Sequence, residues 1–173
     1  MKLKYNTLSD KKDLIEGVIL KKLTIHKDST GTLVETLRKD WNDVYRKEKT
    51  PFAMQYLSIT PPKVARDVDK WHVHKYQKDR FICIAGRIVT AIFDPRKKSK
   101  TYNHLNLFLM GPEVEDEMYL LVIPEETYHG FIVISKISGY LLNFPTKLYN
   151  SEDEGRINNT QLDWKSVRDD FFK

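Results

Sequence analysis

Trp71-His72-Val73-His74-Lys75-Tyr76-Gln77-Lys78-Asp79-Arg80-Phe81-Ile82-Cys83-Ile84-Ala85-Gly86 is the stretch on which the reading of this chain turns. Residues two apart on a strand point to one face, so His72 and His74 project together. Asp79 follows after four intervening residues and Gly86 after six more. A second stretch, Ile123-Pro124-Glu125-Glu126-Thr127-Tyr128-His129-Gly130-Phe131, places a third histidine just before an apolar strand. Three imidazoles and one carboxylate suit Zn, Fe, Ni or Mn. The competing reading is that His74 and Asp79 bond to each other in a polar barrel mouth.

Outward from these stretches the chain reads as strands. Residues 18–25 and 32–37 flank the turn-forming Lys27-Asp28-Ser29-Thr30-Gly31, a hairpin signal. Residues 52–60 form the next strand, ended by Pro61-Pro62, and residues 80–85 and 87–93 are separated by the turn residue Gly86. Residues 105–110, 119–123, 130–134 and 140–144 complete the series. Many short strands without alternating helices predict an all-β antiparallel barrel or sandwich. Short helical turns are expected over 13–16 and 40–46, and a terminal helix over 166–173 with Ser166 as its cap.

Composition narrows the classes. The chain has 173 residues, 40% hydrophobic and 31% charged, which suits one domain over 1–173 and excludes a disordered or fibrous chain. Its apolar runs are far too short for a membrane span, and the N-terminus lacks the apolar core of a secretory signal. A cytoplasmic protein that engages no membrane is expected. The net charge of +5 is spread along the chain, which favours an anionic partner without indicating nucleic acid. Cys83 is the only cysteine and reads as a small buried hydrophobe. Lys97, Lys98 and Lys100 read as a solvated turn.

The two histidine stretches resemble the paired motifs of the cupin superfamily, with Asp79 in place of the usual glutamate and Glu126 in place of a glycine. Over a longer span, from about residue 18 to 164, the chain resembles the dTDP-4-dehydrorhamnose 3,5-epimerase family. Three elements carry this resemblance: Asp28-Ser29-Thr30-Gly31-Thr32-Leu33-Val34-Glu35, Asp94-Pro95-Arg96-Lys97-Lys98-Ser99-Lys100-Thr101, and Ile123-Pro124 through His129-Gly130-Phe131. The resemblance implies a cupin-type jelly roll that epimerises a nucleotide-linked 4-keto sugar without a cofactor, as a homodimer. It assigns catalysis to His72 as proton-abstracting base, with His129 and Tyr149. It assigns substrate binding to Glu35, Gln55, His74, Asp79 and Asn143.

Departures from the family pattern are as informative. The family's enolate-stabilising lysine aligns with Asp79, its catalytic tyrosine with Asn143, and the aspartate supporting its base with Asn159. These point to a divergent branch of the family. Three functions stay open at this stage. One is a metal-free epimerase or isomerase, and another a metal-dependent enzyme holding a divalent ion on His72, His74, Asp79 and His129. The third is a catalytically silent module that binds a sugar nucleotide.

Overall fold

The structure is a computed structural model and describes residues 3–172. Two five-stranded sheets carry the fold, and every strand pairing within them is antiparallel. The first sheet has the order β1 (Ile19–Lys22), β9 (Tyr119–Ile123), β6 (Asp79–Ala85), β11 (Gly139–Asn143) and β4 (Tyr56–Thr60). The second has the order β12 (Glu154–Asn158), β5 (Lys70–His74), β10 (Tyr128–Val133), β7 (Ile88–Phe93) and β8 (Leu105–Met110). A separate hairpin joins β2 (Ile25–Asp28) to β3 (Gly31–Val34). The expected all-β architecture is present.

The period of two sorts the side chains into three layers. Phe81, Cys83, Leu121 and Leu141 of the first sheet meet Ile88, Ile92, Phe108, Phe131 and Val133 of the second in a shared interior. Their neighbours Ile82, Leu120 and Val122 pack on the outer side of the first sheet, against Leu23, Val44 and Phe144. Trp71, Val89, Ala91 and Ile132 pack on the outer side of the second, under Trp164 and Val167 of α1 (Trp164–Phe171). Burying these apolar faces, at roughly 25 cal/mol per Å² removed from water, is what holds the sheets together. The same parity fixes the site. Trp71 points outward, so His72 and His74 point inward; Phe131 points inward, so His129 does too.

Several expected boundaries move. The strand expected over 18–25 is broken at Leu23-Thr24, so the hairpin is built from β2 and β3. Gly86, at φ +71°, does not close a hairpin: it passes the chain from β6 in one sheet to β7 in the other. A Cβ there would lie 2.5 Å from the Ser138 carbonyl oxygen, so only glycine fits. His129 lies inside β10 rather than before it. Residues 13–16 and 40–46 form turns without helix. The C-terminal helix is capped by Asp163, whose carboxylate accepts from the Lys165 and Ser166 amides, and Ser166 sits in its first turn. Lys173 lies outside the described residues. The strand β12 was not expected at all; Gly155, Arg156 and Asn158 give it too little apolar patterning to stand out.

Candidate active site

Where the interior runs out of apolar residues, it fills with imidazoles and amides. His72 and His74 come from β5, His129 from β10, Asp79 from β6 and Asn143 from β11. His129 and His72 are register partners on adjacent strands, and their rings stack with centroids 5.2 Å apart. His72 and His74 lie 4.5 Å apart.

Asp79 is the hub and is 1% exposed. Its Oδ1 accepts from the Gln77 side-chain amide and from Asn143 Nδ2, each at 2.8 Å. Its Oδ2 lies 3.2 Å from His129 Nε2 and 3.6 Å from His74 Nε2. Burial alone would raise its carboxyl pKa. The nearby His129 and His74 imidazoles and the Asn143 amide overcome that and hold it at about 2. The Asn143 amide is oriented without ambiguity, because its Oδ1 accepts from the Arg80 backbone N–H at 3.0 Å. Its Nδ2 therefore faces Asp79 and the Tyr56 hydroxyl, the latter at 2.8 Å. Burial, then the Asp79 charge, pushes the Tyr56 phenol up to about 12.

His72 stands at the rim. Its Nε2 is 3.3 Å from Glu154 Oε1, close enough for an ion pair but not aligned as a hydrogen bond. Glu154 also pairs with Arg156. Burial first, then the neighbouring His129, His74 and Arg156, push the His72 imidazole down to about 2. Burial likewise lowers His74, against the pull of Asp79. Both rings are neutral at pH 7.

His72 and His129 line a pocket of about 250 Å³ between the sheets. Tyr56, Arg66, Phe81 and Arg156 complete the part of its wall that bears on chemistry. The Arg66 guanidinium is held by the Ser58 hydroxyl at 2.7 Å. Behind the wall, the fully buried Arg80 donates to the carbonyls of Phe144, Val44, Thr50, Pro51 and Pro145, tying the 44–51 loop to the site.

His72, His74, Asp79, His129 and Asn143 thus lie together. Glu35, Gln55 and Tyr149 do not join them. Glu35 pairs with Arg38 just beyond the hairpin, Gln55 is exposed ahead of β4, and Tyr149 is 70% exposed. Asn159 bonds to the Val68 and Leu162 carbonyls, away from His72. Tyr56, Arg66, Glu154 and Arg156 were missed by sequence reasoning. Only Tyr56, one residue along from Gln55 on an expected strand, offered a local signal. Cys83 is buried with its thiol pushed up to about 12 by that burial, as a packing residue should be.

The three imidazoles offer ligand atoms that all lie within 4.8 Å of one another. His72 Nε2, His74 Nδ1, Asp79 Oδ2 and both His129 nitrogens have no hydrogen-bond partner among the described residues. That donor set fits a divalent transition metal in kind. Against it, the Gln77 amide already sits 3.1 Å from His74 Nε2.

The probable low-salt glycan biosynthesis epimerase Agl13 of Haloferax volcanii is 38% identical over 140 residues, 80% of this chain and 83% of that protein. The spore coat polysaccharide biosynthesis protein SpsL of Bacillus subtilis is 30% identical over 146 residues, 83% of this chain and 89% of the relative. A dTDP sugar isomerase from Desulfovibrio desulfuricans superposes with a TM-score of 0.77 at 22% identity, covering 87% of this chain and 92% of that one, and shares the cupin-like jelly roll. Among the described residues no helix is long and apolar enough to cross a membrane. A family model described as dTDP-4-dehydrorhamnose 3,5-epimerase matches residues 12–170; the chain belongs to that family of sugar-nucleotide epimerases, which are isomerase-type enzymes.

Proposed function

We propose that the protein epimerises or isomerises a nucleotide-linked 4-keto sugar by removing a proton next to the carbonyl, with His72 as the base. The observation that carries this reading is a neutral imidazole on a pocket wall with a carboxylate behind it. The Glu154 carboxylate 3.3 Å from Nε2 favours the His72 tautomer with the ring hydrogen on Nε2, which leaves the lone pair on Nδ1. When Nδ1 takes the substrate proton, Glu154 stabilises the imidazolium, the role the family gives to an aspartate where this chain has Asn159. Arg66 and Arg156 supply the positive potential for the enolate oxygen and the nucleotide diphosphate. Asp79, His74, His129 and Asn143 hold the wall in register. Carbanion chemistry of this kind calls for no cofactor. The working protein is a cytoplasmic homodimer that engages neither nucleic acid nor membrane. In the dimer, the edge strand β4, with Leu57 and Ile59 about half exposed, is covered by a second copy.

The test uses dTDP-4-keto-6-deoxyglucose in deuterated water. Wild type is expected to exchange a carbon-bound proton, and His72→Asn to lose that exchange while still binding dTDP. Exchange that survives in His72→Asn refutes the assignment of the base. Binding without any exchange in wild type would favour the silent binding module. The orphaned imidazole nitrogens favour one second reading, a metal enzyme on His72, His74, Asp79 and His129. In it a divalent ion would supply the Lewis acid.

A further inference from the structure

We infer that Tyr56 is the proton donor on the face of the sugar opposite His72, so that a phenol on β4 takes over where the family's catalytic tyrosine is replaced by Asn143 on β11. This inference rests on the proposed epimerase reading and goes beyond it, since epimerisation needs an acid as well as a base.

Tyr56 and Asn143 are Cα partners across β4 and β11, so their side chains share one face of the first sheet. Asn143 points into the interior alongside Leu141, and Tyr56 therefore points to the same pocket. His72 reaches that pocket from β5, in the second sheet. The two groups stand on opposing walls, the arrangement that lets a proton leave one face of a ring carbon and return to the other.

Hydrogen bonding then sets the direction of the phenol's proton. Asn143 Oδ1 is committed to the Arg80 backbone N–H, so Nδ2 must be the atom at 2.8 Å from the Tyr56 oxygen. An amide nitrogen only donates. The Tyr56 oxygen is thus an acceptor in that bond, and its own hydrogen is left to point elsewhere. No acceptor within the chain claims it among the described side-chain bonds, and the residue lines the pocket and is 39% exposed. The second Nδ2 hydrogen goes to Asp79, which fixes the amide from behind. Asn143 is a positioning residue in this scheme: it turns a phenol that could accept or donate into one that donates.

The step balances without any co-reactant. His72 Nδ1 takes the proton from the carbon beside the carbonyl, and the C–H electron pair becomes the carbon–carbon double bond of the enolate. As the enolate returns to the ketone, its carbon takes the Tyr56 O–H proton from the opposite face. The phenolate and imidazolium that remain exchange one proton with solvent, restoring both groups.

Proton removal and configurational inversion are separable, and Tyr56→Phe separates them. With dTDP-4-keto-6-deoxyglucose in deuterated water, wild type is expected to exchange and to form the inverted epimer. In Tyr56→Phe the epimer should form roughly 100-fold or more slowly, the scale of a lost general acid. Exchange should stay within about threefold, because His72 can return a solvent proton to the face it came from. Unchanged dTDP affinity shows that the variant is folded. Inversion that persists in Tyr56→Phe, or exchange and inversion lost together, overturns the role of Tyr56 and leaves the epimerase reading intact. A wild type that neither exchanges nor inverts overturns the epimerase reading and this inference with it.

Discussion

Acid should destabilise this protein through His72. The folded imidazole is held at about 2 while an unfolded chain binds a proton at 6.5. Between those values the unfolded state carries the extra proton, so stability is complete above 6.5 and falls as the pH drops through that window. At pH 5.0 the unfolded group is about 1.5 pH units below its pKa, which costs about 2 kcal/mol for His72 alone. His74 is shifted in the same direction and adds to the loss. Only one imidazole can share the Asp79 carboxylate closely, and at 3.2 Å that one is His129. For a chain of this length, about 2 kcal/mol lowers Tm by roughly 4–8 °C. Thermal unfolding followed by circular dichroism at pH 7.5 and 5.0 measures it, with His72→Gln as the control that removes the titrating group. The variant should lose about that much of the wild-type pH dependence. An identical pH dependence in both proteins would refute the reasoning.

Arg80→Met should cost about 3–5 kcal/mol, because it strands backbone carbonyls that the guanidinium now satisfies. Urea unfolding checks this, and a loss below about 1 kcal/mol would show that water replaces the arginine freely. Elemental analysis of protein purified without chelator should find metal well below stoichiometric, and dialysis against EDTA should leave proton exchange unchanged. Near-stoichiometric metal that disappears in His129→Ala would turn the choice to the metal enzyme.

The shared face of His72 and His74 was legible because a strand's period of two is local, but whether it faced inward was not, and His129 was joined to the pair only by the family resemblance. The partners of those histidines were not legible in the same way. Tyr56 reaches Asn143 only through the β4–β11 register, and Glu154 reaches His72 only because β12 pairs with β5. Register between strands so far apart in sequence is decided by packing, not by neighbours in sequence. Alignment assigned the base's support to position 159, whereas the carboxylate sits five residues earlier on an edge strand too polar to announce itself. Glu35, Gln55 and Tyr149 were likewise placed by alignment, and nothing local to them in this single chain links them to the pocket.

The terminal helix carries one more consequence. Trp164 lies 6.0 Å from Trp71 at an interplanar angle of 57°, with Gly130 beneath it, where a Cβ would lie 3.1 Å from Trp164 Cζ2. Trp71 and Gly130 are the chain neighbours of His72 and His129. Two indoles so close and so tilted couple their excited states, so the pair is an optical gauge built into the reverse side of the catalytic wall. The third tryptophan, Trp41, lies on the far sheet with Lys21 over its ring. A near-ultraviolet dichroism signal from the indole pair therefore reads the seating of the helix, and with it the posture of both histidines, with no substrate present.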